Sequence, residues 1–175
     1  MNKNNRIIVI ILAVLFITTT IGVIVNQRYA ADRKALLEAT EIAVRESGQE
    51  VARLNMTVLG SMKTVEFTAR LKSSLMEKPK EHTYTGIAFA DLFTAAGISL
   101  EEKQRVLVYS VDGYVVPLSI KEIKEFDNIY LVYKDNGNYL GSYEEADGQG
   151  PYMIVIRGDR FSQRWAKYVC ELDVQ

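Results

Sequence analysis

Cysteine and histidine are almost absent from this 175-residue chain, which has one of each, Cys170 and His82. A single cysteine excludes an internal disulfide and a cysteine-rich zinc site, and a single histidine excludes a two-histidine metal motif. An excess of one charge sign is also missing, because 21 basic residues stand against 22 acidic residues. Without a basic excess, we do not expect a nucleic-acid partner. The phosphate-binding patterns GxxxxGKS/T and GxGxxG are absent as well, which excludes the common nucleotide loops.

A long apolar run lies near the N-terminus, where residues 7–25 carry no charge. At about 1.5 Å per residue this helix would span roughly 28 Å, close to the thickness of a bilayer's hydrocarbon core. A cleaved signal peptide is the alternative, but its apolar part is usually only about 7–15 residues long. We predict an uncleaved single-pass anchor with Lys3 and Arg6 inside, which places the soluble part outside the cytoplasm. If the run is cleaved, the soluble part is secreted.

The sequence divides into a membrane anchor over residues 1–25, a polar helical stalk over 26–41 and one domain over 42–175. In the domain, every second residue from Val65 to Leu71 is apolar, which predicts a strand with one buried face. Similar patterns predict strands over residues 42–46, 51–54, 106–111, 114–118, 129–133, 152–156 and 165–174, and two short helices over 89–96 and 120–126. Because strands and helices do not alternate strictly, the fold is predicted to be α+β and mostly β.

Local signals predict where several of these elements begin and end. Asp112-Gly113 favours a type I′ turn between two strands, since both residues tolerate positive φ. Ser119 and Glu122 form a capping-box pattern at the start of the second helix. In the last strand the alternation places Cys170 on the buried face, as a small core residue.

Several short motifs occur in a recognisable order over residues 41–174. They are Phe67-Thr68-Ala69-Arg70-Leu71-Lys72-Ser73-Ser74, His82-Thr83-Tyr84-Thr85-Gly86-Ile87, Phe89-Ala90-Asp91-Leu92-Phe93, Ser110-Val111-Asp112-Gly113-Tyr114, Gly150-Pro151 and Arg164-Trp165-Ala166-Lys167-Tyr168-Val169. Their order and spacing resemble the compact form of the sulfite-oxidase-type molybdopterin-binding domain. The resemblance implies a sulfite-oxidase-like fold for nearly all of the soluble part.

The resemblance also implies where a metal-ligating cysteine should lie. In that family a cysteine thiolate that follows the strand resembling residues 65–71 binds molybdenum beside the pterin. This sequence has Lys72-Ser73-Ser74 there, and its only cysteine, Cys170, lies on the last predicted strand. A serine hydroxyl is a hard ligand and replaces a soft thiolate poorly. We therefore assign no catalytic residue and no metal ligand from the sequence.

If the resemblance holds, the matching positions gather at one end of the fold and could bind a phosphate, sulfonate or carboxylate through cations and hydroxyls. The predicted ligand-binding residues are Lys72, Ser73, Ser74, Asp112, Tyr114, Arg164 and Lys167.

Three functional hypotheses follow. The first is a membrane-anchored, extracytoplasmic accessory module that lacks the molybdenum-ligating cysteine, needs no cofactor, and binds a small anion or a membrane protein. The second is a molybdopterin-dependent oxidoreductase of a membrane redox chain with a non-cysteine metal ligand. The third is a tethered scaffold that serves only interaction.

Overall fold

The computed structural model describes residues 3–38, 41–73 and 76–175, in two units that divide between Glu38 and Ala39. The first unit is one helix, α1 (Lys3–Glu38). Its segment Ile10–Gln27 is long and apolar enough to cross a membrane. The hydroxyls of Thr18, Thr19 and Thr20 donate to backbone carbonyls three or four residues back, at 2.7–3.0 Å, so they do not interrupt the helix. Of the predicted stalk, residues 26–38 belong to α1, residues 39 and 40 lie outside the described residues, and Glu41 belongs to the first strand.

The second unit consists mainly of strands, with short helices between them. The strands are β1 (Glu41–Glu46), β2 (Gln49–Asn55), β3 (Val65–Leu71), β4 (Lys80–Ala88), β5 (Arg105–Ser110), β6 (Val115–Ser119), β7 (Ile129–Asp135), β8 (Asn138–Tyr139), β9 (Met153–Ile156) and β10 (Val169–Val174). The helices are α2 (Met56–Gly60), α3 (Phe89–Ala95) and α4 (Ile120–Lys124), with a 3-10 turn at Ser162–Arg164. We predicted two short helices, and α2, capped by the Asn55 side chain, is an additional one.

The strands form two five-stranded sheets that share one hydrophobic core. One sheet has the order β2-β1-β10-β5-β6, and the other has the order β3-β4-β7-β8 with β9 also paired to β7. Strands β1 and β10 run parallel, whereas the other pairs are antiparallel. Alternation in β3 is as predicted, because Phe67 and Ala69 are buried while Thr68 and Arg70 are exposed. The α+β, mostly β architecture that the sequence predicted is confirmed.

The start of α4 follows the predicted capping box, but its end does not. Ser119 Oγ accepts from the Glu122 backbone N–H at 3.2 Å, and Glu122 Oε2 accepts from the Ser119 N–H at 3.0 Å. The helix stops at Lys124, two residues earlier than predicted, because Glu125 adopts an extended conformation. Phe126 therefore lies outside the helix and is exposed to solvent.

The β5–β6 hairpin has a different turn from the one predicted. Gly113 N–H donates to Ser110 O at 2.9 Å, and Ser110 N–H donates to Tyr114 O at 2.9 Å. A type I′ turn needs positive φ at both central residues, and here only Gly113 has it, with φ +89°, whereas Asp112 does not. This pattern is that of a longer hairpin loop, in which a glycine with positive φ closes a type I turn.

The last predicted strand is shorter than expected, and its alternation is interrupted. Residues 165–168 are irregular and Tyr168 has φ +54°, so β10 begins only at Val169. A register shift against β5 between Val169 and Glu171 displaces the residue between them. Val169 is consequently buried and Cys170 is half-buried, which corrects the predicted core position of Cys170.

Candidate functional site

The 3-10 turn joins the end of β3 to the tip of the β5–β6 hairpin. The Lys72 N–H donates to Ser162 Oγ at 2.9 Å, and the Ser162 N–H donates back to Lys72 O at 2.9 Å. The Tyr114 hydroxyl donates to Gln163 O at 2.9 Å. The end of β3 and the tip of the hairpin, which both belong to the predicted ligand-binding regions, therefore lie on either side of this turn.

A cleft of about 550 Å³ opens beside the end of β3, and Trp165 forms part of its wall. Its charged lining residues comprise four cations and two carboxylates, and we call it the cationic cleft. They are Arg70, Lys72, Arg157, Arg160, Glu81 and Asp159. The excess of positive charge makes the cleft suitable for an anion.

Two of these cations have no carboxylate partner in the part of the chain that the structure describes. The Lys72 ammonium lies 4.7 Å from the centre of the Phe161 ring, and the Arg160 guanidinium lies 5.6 Å from the same centre. By contrast, Arg70 lies 3.6 Å from Glu81, and Arg157 forms an ion pair with Asp127. Lys72 and Arg160 are therefore the cations best able to bind an anion from solution.

Arg164 is engaged by carboxylates instead of facing the cleft. Its Nε and Nη2 donate to the two oxygens of Asp159 at 2.9 and 2.5 Å, and Nη2 also donates to Glu122 at 2.9 Å. These bonds raise the pKa of Arg164 above its ordinary value. Burial acts to raise the pKa of Glu122, but hydrogen bonds from Ser119 and Arg164 outweigh it and lower that pKa. We conclude that Arg164 links the 3-10 turn to α4.

The other predicted site residues are dispersed. Asp112 Oδ1 accepts from the Tyr114 N–H at 3.0 Å and so stabilises the hairpin loop. The Tyr114 hydroxyl is bonded to the 3-10 turn beside it. Lys167 is exposed, and neither it nor the hairpin pair lines the cationic cleft. Ser73 is half-buried beside Lys72. Ser74 lies outside the described residues. Among the described members of the predicted set, Lys72 is the residue that lines the cleft.

The sequence reasoning missed Arg70, Arg157, Arg160 and Phe161. Arg70 was visible as an exposed position of the predicted strand at residues 65–71. Arg157 directly follows the apolar strand that ends at Ile156, and Arg160 comes three residues later. Two cations close to a strand end are a usable signal for an anion site. The sequence does not show that these arginines lie near Lys72, because that proximity depends on the bond between the 3-10 turn and the end of β3.

The donors near the end of β3 do not fit the molybdenum centre that the resemblance implies. The thiol of Cys170 lies on β10 in the other sheet, where it donates to Tyr109 O at 3.5 Å. Burial and then the charge of Glu171 raise the pKa of Cys170 to about 11, which keeps it a thiol at neutral pH. Among the described residues, no three His, Cys, Asp or Glu side chains are placed to hold a metal ion. His82 instead pairs with Asp135, at 2.7 Å.

Comparison with known proteins supports the fold. No protein-family model and no curated protein matches the chain. Among solved structures, the chain is similar to the sulfane dehydrogenase SoxCD from Paracoccus pantotrophus, with a TM-score of 0.64 and 14% sequence identity. The match covers 79% of this chain and 38% of that chain, so this chain spans well under half of its length. At this identity the likeness shows the fold, and the predicted sulfite-oxidase-like fold, preceded by an apolar N-terminal helix, is confirmed.

Proposed function

We propose that this protein is a membrane-anchored accessory module that binds a small anion in the cationic cleft. The anchor is the apolar part of α1, and the sulfite-oxidase-like domain lies outside the cytoplasm. The observation that carries the proposal is the pair Lys72 and Arg160, which lie 4.7 and 5.6 Å from the centre of the Phe161 ring and have no carboxylate partner among the described residues. The ligand belongs to the phosphate, sulfonate or carboxylate class.

The geometry favours recognition of an oxyanion by several donors at once. An ammonium and a guanidinium offer charge-assisted hydrogen bonds, each worth about 1.5–3 kcal/mol before the costs of binding. The cleft is open to solvent and those costs are substantial, so we expect a dissociation constant on the order of 0.1–1 mM for a small inorganic anion. Salt should weaken this binding, because the charges that produce it are exposed.

Calorimetric titration tests the proposal. The full chain in nonionic detergent is titrated with inorganic phosphate or sulfate, and the heat of binding is measured. Lys72→Gln and Arg160→Gln should each weaken binding by about tenfold, since each removes one charged donor. Lys167→Gln is the matched control, because Lys167 is an exposed lysine that does not line the cleft. Binding that depends on Lys167 but not on Lys72 and Arg160 would contradict the assignment.

The membrane part of the proposal has its own test. The protein should stay in the membrane fraction after carbonate extraction, and its intact mass should remain 19.8 kDa. A protease added outside intact cells should remove a tag placed after Gln175, since the domain is proposed to be extracytoplasmic. A shorter soluble product would indicate cleavage, and a protected tag would indicate the opposite orientation.

A further inference from the structure

A second cleft, of about 810 Å³, lies between the start of β3, the start of α3 and the loop that joins α4 to β7. It shares no lining residue with the cationic cleft. Its wall includes the half-buried Val65, Ala88 and Ala90, and Phe126 lies at its rim. Phe126 is 96% exposed, the highest value among the large hydrophobic residues whose exposure is described. An aromatic ring held in water beside an apolar cleft is typical of an interaction surface.

The loop that presents Phe126 is fixed by several bonds. Asp127 adopts φ +59°, which is unusual for a residue other than glycine. The Tyr130 hydroxyl donates to Asp127 Oδ1 at 2.6 Å, and Arg157 forms an ion pair with the same carboxylate. The next residue, Asn128, is buried and donates to a backbone carbonyl of α4 at 3.1 Å. These bonds hold the loop in a strained conformation that points Phe126 away from the core.

The charges around this cleft are mixed in sign. Lys63, Glu66 and Asp91 are exposed, and none of them forms an ion pair within the described ranges. Lys124 and Glu125, also exposed, add one charge of each sign, and Lys124 lies 3.7 Å from Glu101. Asp127 adds a carboxylate that is paired with Arg157. A partner with a single charge sign would be repelled by part of this rim. An identical rim turned by a two-fold axis can oppose its two lysines with carboxylates of the other copy.

We propose that this surface is the contact between two copies of the chain, with Phe126 of each copy seated in the second cleft of the other. A projecting side chain and a matching cleft on one face produce a closed two-fold dimer when both copies use them. Two copies anchored in the same membrane also meet at raised effective concentration. The proposal rests on the membrane anchor of the proposed function, goes beyond anion binding and does not depend on the cationic cleft.

Site-specific cross-linking of the full chain in lipid vesicles tests this contact. The photoreactive amino acid p-benzoylphenylalanine replaces Phe126, and illumination should give a species of twice the 19.8 kDa chain mass. Mass spectrometry should locate the cross-link at Val65 or Ala88–Ala90. The same probe at Tyr139, which is 67% exposed and outside the cleft, should give no such species. A cross-link to lipid alone, to another surface, or no dimer at all would overturn the proposal.

A second measurement follows association directly, by energy transfer between labelled copies at decreasing protein-to-lipid ratio. Phe126→Asp should raise the apparent dissociation constant by about tenfold or more, as expected for a central aromatic residue. Tyr139→Asp is the control and should leave association unchanged. The fold should tolerate Phe126→Asp because the ring is in solvent. Equal association of Phe126→Asp and the unaltered chain would refute the dimer, as would capture of a different protein by the position-126 probe in cell membranes.

Discussion

Two arginines four residues apart should respond in opposite ways to the same substitution. Arg164 is bound by Asp159 and Glu122, whereas Arg160 is exposed beside Phe161 and has no carboxylate partner in the described part of the chain. Arg164→Gln should therefore lower the free energy of unfolding. It should weaken anion binding less than Arg160→Gln does, through the Asp159 carboxylate that it leaves unneutralised beside the cleft. Arg160→Gln should weaken anion binding and leave stability nearly unchanged.

The size of the stability loss follows from the exposure of the three side chains. The Arg164 and Glu122 side chains are 36% and 32% exposed, but that of Asp159 is only 15% exposed. Breaking a fully buried pair costs about 3–5 kcal/mol, and an exposed pair is worth about 0–1 kcal/mol. This partly buried network lies between these limits, so we expect Arg164→Gln to cost about 2 kcal/mol.

The assay is urea unfolding of the full chain in detergent, followed by tryptophan fluorescence. The only tryptophan, Trp165, is next to Arg164, is 6% exposed and donates to Ile156 O, so its emission reports unfolding at this position. The pKa of Glu122 is lower in the folded protein than in the unfolded chain. Its contribution to the free energy of unfolding is therefore present above the unfolded pKa and is lost as pH falls through the folded pKa. The difference between Arg164→Gln and the unaltered chain should shrink in acid for the same reason.

The reverse pattern would contradict the roles assigned to these two arginines. If Arg164→Gln abolished phosphate binding with an unchanged unfolding midpoint, Arg164 would be an anion ligand, as the sequence suggested. If Arg160→Gln shifted the unfolding midpoint as strongly as Arg164→Gln, Arg160 would be a stabilising residue. It could then no longer be counted as one of the two cations of the cleft that are available to an anion.

Three further substitutions or reactions test other parts of the structure. Gly86→Ala should destabilise the domain by about 2 kcal/mol or more in the urea assay, because a Cβ there would lie 2.4 Å from the Leu131 carbonyl oxygen. Gly60→Ala is the control and should be neutral or slightly stabilising, because the space around Gly60 is open. Because burial raises the pKa of Cys170 to about 11, iodoacetamide at pH 8 should alkylate the native thiol about 100-fold more slowly than the unfolded thiol, and equal rates would contradict its burial. Tyr114→Phe should cost about 0.5–1.5 kcal/mol through loss of its bond to the 3-10 turn, with no loss of phosphate affinity in calorimetry.

The sequence predicted the strands well where a single periodic pattern decides the structure. In β3, burial alternates as the apolar residues do, and the Ser119–Glu122 capping box starts α4 as expected. It failed where one residue departs from the pattern. The positive φ of Tyr168 and the register shift around Cys170 move the start of β10. The spacing of apolar residues in the sequence indicates neither feature.

The candidate site was less predictable because its contacts join distant residues. The backbone of Lys72 bonds to Ser162, 90 residues away, and Arg164 reaches Glu122 across 42 residues. Sequence reasoning treats each cation as equally free, and only the fold separates a neutralised arginine from an available one. This is why Arg164 was included in the predicted site and Arg160 was not.

The residue at the end of β3 decides which chemistry this position can support. The resemblance implies a thiolate near Lys72 or Ser73, which would donate an electron pair to a metal. Lys72 instead presents an ammonium, which has no free electron pair and attracts oxyanions. Arg160, carried by the segment that bonds to Lys72, adds a second cation beside the same aromatic ring. The proposed function therefore assigns positive charge and an oxyanion to this strand end, where the resemblance implies a metal-binding thiolate.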